Sequence, residues 1–358
     1  MKLYHLADLH IGVKDSHTRL VKKKLSALLS EAKKEGVKFI LFAGDVFHTN
    51  SLPTSEVRWF FELLANCSTI NFVLIPGGGR GHFAEVSGHD AWTEDSIYKR
   101  YEIQKFFSSY PHIKLLTPEK PEEFFEKEKV CFYAGFFGLP PERLNHSADF
   151  HVAIMHGAYG ERKEFEEISL SSEIVQKYDY IALGHYHTFK QVAPNAYYSG
   201  AFIQFEYQPF IDAKSGYIKA EIEKGTIPKV TYRIFEDAPQ FLHLKIFHEK
   251  DLEFLKNLNF PLCKVKISAY LERFNPEIRE LVEKWGDCIT IFEKAEIKEE
   301  KLIFINALEE LIKEKIPDTL KEEVRETLLY ALQFKELSLN EFVQFLIKKY
   351  EIYEKEQE

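Results

Sequence analysis

Aspartate and histidine residues follow five short apolar segments of this sequence. The segments, each with the residues that follow it, are Leu3–Ala7 with Asp8 and His10, Phe39–Ala43 with Asp45 and His48, Phe72–Ile75 with His82, His89 and Asp90, Val152–Met155 with His156, and Ile181–Leu183 with His185 and His187. Short apolar runs bounded by polar stretches are typical of buried strands. In sheets whose strands are connected by helices, ligands bind at the carboxyl ends of the strands. The sequence therefore predicts that these carboxylates and imidazoles lie close together.

The side chains at these positions have the chemistry of a divalent metal site. Carboxylates and imidazoles, with no cysteine among them, suit Mn²⁺, Fe²⁺ or Zn²⁺. Asp8 and His10 point to the same face of an extended chain, so both can bind one ion, and the same spacing recurs at 185–187. Six such ligands are too many for a single tetrahedral ion. We therefore predict two ions that share the carboxylate of Asp45, with His48 facing the substrate.

Several of these motifs together resemble those of the calcineurin-like metallophosphoesterases. They are Asp8-x-His10, Gly44-Asp45-x-x-His48, His156-Gly157 and Gly184-His185-x-His187, in this order along the chain. Within that group, residues 1–240 are similar to the SbcD-type nucleases of DNA double-strand-break repair, which act with an SbcC-type coiled-coil ATPase. The segments that carry this second similarity are Leu6–Gly12, Ala91–Tyr98 and Tyr198–Gly200.

The resemblance implies a role for each candidate residue. The metal ligands it implies are Asp8, His10 and His187 for the first ion, His156 and His185 for the second, and Asp45 for both. His48 would orient or stabilise the scissile phosphate, and His89 would protonate the leaving oxygen as general acid. The implied cofactors are two divalent ions, with Mn²⁺ as the expected metal, which activate water and clamp the phosphate during in-line displacement. The implied activity is manganese-dependent exonuclease and endonuclease cleavage of DNA.

The third motif, which the family has after the third strand and which falls at Pro76–Asp90 here, departs from the family pattern. The resemblance leads us to expect Pro-Gly-Asn-His-Asp, but no Asn occurs between Pro76 and Asp90. The simplest alignment treats residues 78–87 as an insertion and keeps His89 and Asp90 as the remainder of the motif. The residue that replaces the Asn ligand stays open between His82, Asp90 and none.

The predicted fold class is α/β, a two-sheet β-sandwich flanked by helices, with a small α/β capping domain and a helical C-terminus. The predicted parts are a metallophosphoesterase nuclease domain at 1–236, a capping domain at 237–298 that resembles the DNA-binding cap of the family, and a helical segment at 299–358. The strands predicted to complete the second sheet in antiparallel fashion are Ala196–Ser199, Gly216–Ile222 and Lys229–Ile234. The strands predicted in the capping domain are Phe241–Phe247, Cys263–Tyr270 and Cys288–Phe292, with helices between them. The C-terminal amphipathic helices either pack on the chain itself or dock on the ATPase partner.

Charge is distributed unevenly along the chain. The net charge is −9, and residues 299–358 carry nine Lys and Arg against fifteen Asp and Glu. Residues 14–38 have an excess of positive charge, with eight Lys and Arg against three Asp and Glu. This basic segment either contacts DNA phosphates or is the solvated face of an amphipathic helix.

Other sequence features argue against a membrane or secreted protein. No apolar stretch reaches eighteen residues, and the first predicted strand begins at once, where a cleavable signal would stand. The four cysteines lack metal-ligand spacing and favour a reducing compartment. A cytoplasmic protein is expected.

Functions from three classes remain open on the sequence. The first is a DNA nuclease of double-strand-break repair, with DNA, an SbcC-type (SMC-like) ATPase and a second copy of the chain in a homodimer as partners. The second is a phosphoesterase on a small nucleotide or phosphate ester, because a fold and a metal site do not fix the substrate. The third is a weakly active scaffold subunit with an altered third motif.

Overall fold

The computed structural model describes residues 1–77, 89–136, 139–143, 147–160, 168–206 and 214–238, and the backbone of strands beyond them. The first strands are β1 Lys2–Leu6, β2 Phe39–Ala43, β3 Asn71–Ile75, β4 Ile113–Leu115, β5 Glu122–Phe125, β6 Val130–Gly135, β7 Phe150–His156, β8 Tyr180–Gly184, β9 Phe189–Ala193, β10 Ala196–Ser199, β11 Gly216–Glu221 and β12 Lys229–Ile234. The helices are α1 Asp15–Glu35, α2 Thr54–Ala65, α3 Tyr101–Ser109 and α4 Ser172–Gln176, and a 3₁₀ turn at Ile97–Lys99 precedes α3.

These strands form two six-stranded sheets. The first has the order β12-β11-β1-β2-β3-β4, and the second has the order β5-β6-β7-β8-β10-β9. Strands β1 to β4 are parallel, as are β6, β7, β8 and β10. The outer strands β5, β9, β11 and β12 pair antiparallel with their neighbours. The predicted α/β fold with a two-sheet sandwich is confirmed.

Strand β1 shows how the sequence builds the sandwich. Leu3 and Ala7 lie in the core between the two sheets, whereas Tyr4 and Leu6 lie in the core beneath the helices. Alternate residues of a strand point to opposite faces, so a strand covered on both faces is apolar throughout. This explains why the motifs follow continuous apolar runs instead of alternating ones.

Strands β10, β11 and β12 differ from the sequence prediction. β10 belongs to the second sheet but runs parallel to β8 and antiparallel only to β9. β11 and β12 extend the first sheet, where β11 pairs antiparallel with β1. Without β11, the backbone groups along that side of β1 would form an open sheet edge, which is unfavourable. The chain passes from the second sheet to the first between β10 and β11, where Ala201 forms a parallel bridge with Ala7.

A third sheet contains β13 Gln240–Ile246, β14 Cys263–Ala269 and β15 Ile289–Lys294 in that order, with β13 and β14 parallel. These are the strands predicted for the capping domain. The helices predicted between them and the helical segment 299–358 lie outside the described residues, and the three-domain division stays a prediction. In the described part of the chain, no helix is long and apolar enough to span a membrane.

Candidate metal centre

The candidate metal ligands lie at the carboxyl ends of four strands. Asp8 comes just after β1, Asp45 just after β2, His156 ends β7 and His185 follows β8. The backbone N–H of His10 donates to the carbonyl of Asp45 over 3.0 Å, so the turns after β1 and β2 continue the pairing of their strands. The backbone N–H of His185 donates to Oδ2 of Asp8 over 3.1 Å. The two sheets therefore meet at the predicted site.

Backbone strain is concentrated at these positions. Asp8, His10, Asp45 and His185 have φ values of 52°, 45°, 51° and 113°. Among the described residues, Lys129 is the only other non-glycine residue with positive φ. Such conformations are costly for L-residues and persist where the surrounding structure holds them, often at functional sites.

Two glycines allow the backbone to approach the ligands closely. Gly44 has a φ of 87°, and a Cβ atom on it would lie 2.3 Å from Nδ1 of His156. A Cβ atom on Gly77 would lie 1.7 Å from Oδ1 of Asp45. Neither separation is possible for real atoms, so only glycine fits at these two positions.

Oδ2 of Asp45 is surrounded by imidazole nitrogens. Nε2 of His156 lies 3.4 Å from it, Nε2 of His89 lies 3.7 Å from it and Nε2 of His10 lies 3.8 Å from it. Nε2 of His10 is also 3.3 Å from Nε2 of His187. The sets of three side chains whose ligand atoms lie within 4.8 Å of one another are Asp8, His10 and His187, then Asp8, Asp45 and His156, and finally His10, His48 and His89.

Two carboxylate oxygens in this cluster are buried without a hydrogen-bond partner. They are Oδ1 of Asp8 and Oδ1 of Asp45, and the two residues are 0% and 4% exposed. Burying an ionised carboxylate without a partner is strongly unfavourable unless a cation compensates it. Hard carboxylate oxygens beside imidazoles fit divalent ions of the Mn²⁺ to Zn²⁺ group, so the residues present suit the predicted ions.

Most of the imidazoles are held in the form that binds metal. Burial lowers the pKa of His10, and it lowers the pKa of His185 and of His187 to about 4. These rings are therefore neutral at pH 7, each with a lone pair free for coordination. Burial also raises the pKa of Asp8 to about 7, and a nearby dication would favour its ionised form.

Asp45 and His156 stabilise each other's charged forms. Burial alone would raise the pKa of Asp45 and lower that of His156, but their attraction prevails. The pKa of Asp45 is held below its usual range, and that of His156 rises to about 10. Nδ1 of His156 donates to the carbonyl of Ala43 over 2.8 Å, so Nε2 is the nitrogen that faces Asp45. Metal binding at Nε2 requires loss of its proton.

The predicted catalytic residues, His48 and His89, line the same site. Nδ1 of His48 is 3.4 Å from Nδ1 of His10, and Nδ1 of His89 donates to the backbone carbonyl of His48 over 3.1 Å. The ring centroids of His10 and His89 are 4.5 Å apart. Burial lowers the pKa of His48. The structure thus brings the eight residues predicted as ligands or catalytic groups into one cluster, in which His185 contacts the ring of His156, while the alternative candidate His82 lies outside the described residues.

Asp90, a candidate replacement for the missing Asn ligand, has a different role. Its Oδ1 accepts a hydrogen bond from the N–H of Gly77 over 2.7 Å. Its Oδ2 accepts from the N–H groups of Val46 and Phe47 over 3.0 and 3.2 Å, and from the hydroxyl of Tyr98 over 2.5 Å. Both oxygens are engaged, so Asp90 fastens the turn after β2.

The segment after β10 supports the imidazoles and carries no motif that predicts this role. The ring centroid of Phe205 lies 4.7 Å from that of His10 and 5.4 Å from that of His187. The side-chain amide of Gln204 donates to the carbonyl of His187, and a carboxylate oxygen of Glu206 lies 3.7 Å from its Nδ1. These contacts fix the position and ring plane of a predicted ligand.

The basic segment 14–38 consists mostly of α1. Lys22 pairs with Glu56 over 2.8 Å, and Lys24 pairs with Asp237. The other cations of the segment are exposed. A helix of 21 residues is about 30 Å long, so only those near its N-terminus lie close to the turn after β1.

The sandwich, with buried Asp and His side chains at its strand ends, has the architecture of a metal-dependent phosphoesterase. A family model described as calcineurin-like phosphoesterase matches residues 1–189, which include every candidate site residue. The match covers more than half of the chain, and the protein belongs to the calcineurin-like phosphoesterase family. Together with the Asp and His clusters, it supports a metal-dependent phosphoesterase.

Among solved structures, the chain is similar to a single-substitution variant of Vps29 from Entamoeba histolytica. The sequence identity is 12%, the TM-score is 0.30, and the alignment covers 66% of this chain and 100% of that chain. A similarity of this size carries no argument about function.

Proposed function

We propose that this protein hydrolyses phosphodiester bonds of DNA with two divalent ions, Mn²⁺ being the expected metal, in double-strand-break repair. The observation that carries the metal chemistry is the pair of buried carboxylate oxygens, Oδ1 of Asp8 and Oδ1 of Asp45, that have no hydrogen-bond partner within this cluster. The choice of DNA is supported by the similarity of the sequence motifs to SbcD-type nucleases.

The residues that would hold the ions are divided between the two sheets. The first ion is assigned to Asp8, His10 and His187, the second to His156 and His185, with Asp45 shared. Ions bound there supply Lewis-acid polarisation of a phosphate oxygen and lower the pKa of a water. The neutral imidazoles described above need lose no proton to bind.

His48 is oriented to donate a hydrogen bond to the substrate. If Nε2 of His10 binds the first ion as assigned, its proton lies on Nδ1, which can donate to Nδ1 of His48 at 3.4 Å. His48 then carries its own proton on Nε2. That N–H is free to stabilise the negative charge that develops on a phosphate oxygen.

A cavity of about 720 Å³ beside His89 gives room for more of the substrate than one phosphate. Its lining includes Thr49, Ser51 and Lys99, and also the acidic residues Glu94 and Asp95. Ligand cavities in proteins have roughly 300–1,000 Å³. The space is sufficient for the nucleotide that adjoins the scissile bond.

The test compares substrates on the purified full-length chain with Mn²⁺. Single-stranded DNA, double-stranded DNA, a chromogenic phosphodiester and a phosphomonoester are assayed side by side, with Asp45→Ala as the control for contaminating nucleases. We expect DNA to be the best substrate. Cleavage of the small esters with no cleavage of DNA would favour the small-molecule phosphoesterase, and no turnover at all would favour the scaffold.

A matched pair of charge variants tests the contact with DNA. Lys14 and Arg19 are exposed beside the turn after β1, whereas Lys33 and Lys34 are exposed at the other end of α1. Replacing the first pair by Gln should weaken DNA binding and reduce the salt dependence of log Kd by roughly two ions, because each phosphate contact releases about one counterion. The second pair serves as the control and should have no effect.

The partners proposed from the resemblance are an SbcC-type ATPase and a second copy of this chain. Light scattering after gel filtration measures the mass of the chain alone and after mixing with such an ATPase. A dimer that forms a larger complex with the ATPase is expected. A chain that is monomeric and does not bind the ATPase would contradict both the homodimer and the ATPase complex.

A further inference from the structure

The second ion lacks one of the ligands that the family pattern supplies. No Asn occurs between Pro76 and Asp90, His82 lies outside the described residues, and both oxygens of Asp90 are engaged by other donors. The hydrogen bond from the N–H of Gly77 to Oδ1 of Asp90 holds the residues on either side of segment 78–88 close together. This bond places the residue before Asp90, His89, beside the candidate ions.

His89 makes the same two contacts as His156, a predicted ligand of the second ion. Nδ1 of His156 donates to the carbonyl of Ala43 over 2.8 Å, and Nδ1 of His89 donates to the carbonyl of His48 over 3.1 Å. In each ring the other nitrogen, Nε2, faces Oδ2 of Asp45, at 3.4 Å for His156 and 3.7 Å for His89. Histidines that bind metals characteristically donate their other ring N–H to a carbonyl or carboxylate.

The separations suit atoms that share an ion. Two ligands that each lie about 2.1 Å from one ion are roughly 3.0–3.5 Å apart at tetrahedral or octahedral angles. The distance from Nε2 of His156 to Oδ2 of Asp45 falls in this range, and that from Nε2 of His89 is 0.2 Å above it. A small rotation of the His89 side chain, which is 37% exposed, closes that difference.

His89 is also fixed in place by its neighbour in the sequence. Asp90 accepts hydrogen bonds from the N–H groups of Val46 and Phe47, which come directly after Asp45. The backbone that carries His89 is therefore tied to the backbone that carries Asp45. A ligand held in this way needs little reorganisation when it binds an ion.

We propose that Nε2 of His89, which faces the shared carboxylate of Asp45, is the ligand that replaces the missing Asn at the second ion. The proposal rests on the two-ion function proposed above. A coordinated Nε2 has no proton to give, so His89 is not the general acid that the resemblance implies. Of the imidazoles described in this cluster, His48 is then the one left free to face the substrate.

The experiment measures metal binding apart from activity. Mn²⁺ is titrated calorimetrically into metal-free, full-length wild type, His89→Ala, His89→Gln and His48→Ala. Gln places an amide oxygen near the position of Nε2, so it can bind an ion but cannot act as a general acid. We expect two bound ions in wild type, His89→Gln and His48→Ala. In His89→Ala the second ion should bind at least about 100-fold more weakly, since even changes outside the ligand shell cost 10–100-fold.

Activity and folding are measured on the same samples. His89→Gln should cleave DNA measurably faster than His89→Ala if His89 is a ligand, whereas both variants should lose cleavage equally if His89 is the general acid. Circular dichroism melting checks that His89→Ala is folded. Two ions bound to His89→Ala with wild-type affinity would overturn the proposal. An equal loss of Mn²⁺ affinity in His48→Ala would overturn the proposal in favour of an ion held by His10, His48 and His89. Wild type that binds fewer than two ions would instead contradict the two-ion function itself.

Discussion

The two sheets of the sandwich contribute different chemistry to one site. The first sheet supplies both carboxylates, Asp8 and Asp45, and the second sheet supplies imidazoles, including His156 and His185. The negative charge that balances two dications therefore comes from the first sheet, while the second sheet adds imidazoles to that of His10. Loss of the shared carboxylate of Asp45 should affect both ions, and loss of one imidazole should affect a single ion.

The substitution Asp45→Ala should have the largest effect. Its carboxylate lies within 4 Å of three imidazole nitrogens and is the group assigned to both ions. We expect DNA cleavage to fall by at least about three orders of magnitude, as for residues that act as a unit in catalysis. Metal content by mass spectrometry should fall for both ions. An Asp45→Ala protein that still cuts DNA would contradict the shared-carboxylate assignment.

The substitution His187→Ala on the second sheet should be milder and of a different kind. One ligand of the first ion is lost, while Asp8, His10 and Asp45 remain. We expect about a 100-fold higher Mn²⁺ requirement, with activity recovered at high Mn²⁺ because mass action offsets a weakened site. Activity is measured over a series of Mn²⁺ concentrations in parallel with Asp45→Ala, which added metal should not rescue. Equal behaviour of the two variants would remove the distinction between the sheets.

The substitution Tyr98→Phe tests the hydrogen bonds that hold the third motif. It removes the hydroxyl that donates to Oδ2 of Asp90 over 2.5 Å and leaves the backbone donors in place. The free energy of unfolding should fall by about 1–3 kcal/mol, as for the loss of a buried hydrogen bond to a carboxylate. Affinity for the second ion should fall by about tenfold, as for groups outside the ligand shell.

Tyr217→Phe is the matched control for that variant. Tyr217 is also buried, and its hydroxyl donates to a carboxylate oxygen of Glu31 over 3.1 Å, on the helix side of the first sheet. It should lose stability without any change in metal affinity. A Tyr98→Phe protein with unchanged Mn²⁺ titration would show that Asp90 has a structural role only.

The sequence predicted the parts of the fold that depend on local pattern. The runs that end at Asp8, Asp45, His156 and His185 are strands, because a strand buried on both faces must be apolar. The order of the strands is harder to predict from the sequence. The prediction that β11 and β12 belong to the second sheet is wrong. Their alternation shows which faces are buried but not which edge they join, and that choice depends on the unpaired side of β1.

The same limit applies within the candidate site. The motif residues could be predicted because chemistry restricts them to Asp and His at strand ends. The support from Phe205 and Gln204 could not, since an aromatic ring and an amide occur in any loop and their contacts depend on tertiary packing. The role of Asp90 stays open on the sequence, because a carboxylate in a metal motif has the same appearance whether it binds an ion or backbone N–H groups.

The smallest effect is expected where the two sheets meet away from the ions, at His5 of β1 and Tyr180 of β8. Nδ1 of His5 is hydrogen-bonded to the Tyr180 hydroxyl at 3.0 Å, and His5 is fully buried. Burial lowers the pKa of His5 from 6.5 to about 3. Above pH 6.5 the ring is neutral in both the folded and the unfolded chain, so it adds no pH dependence. Below pH 6.5 the unfolded chain takes up a proton that the folded chain excludes, and stability falls until about pH 3.

At pH 5.5 this residue should lower the free energy of unfolding by about 1.4 kcal/mol, because one pH unit below the unfolded pKa corresponds to that amount. Urea unfolding of metal-free wild type and His5→Phe at pH 7.5 and 5.5 measures the difference, since the other buried histidines contribute equally to both proteins. His5→Phe should lose less stability on acidification than wild type by that amount. Tyr180→Phe, which keeps the buried imidazole, should retain the wild-type pH dependence because burial is the main cause of the shift. An unchanged pH dependence in His5→Phe would mean that the His5 ring takes up a proton in the folded chain as readily as in the unfolded chain. The core beside β1 would then be accessible to solvent.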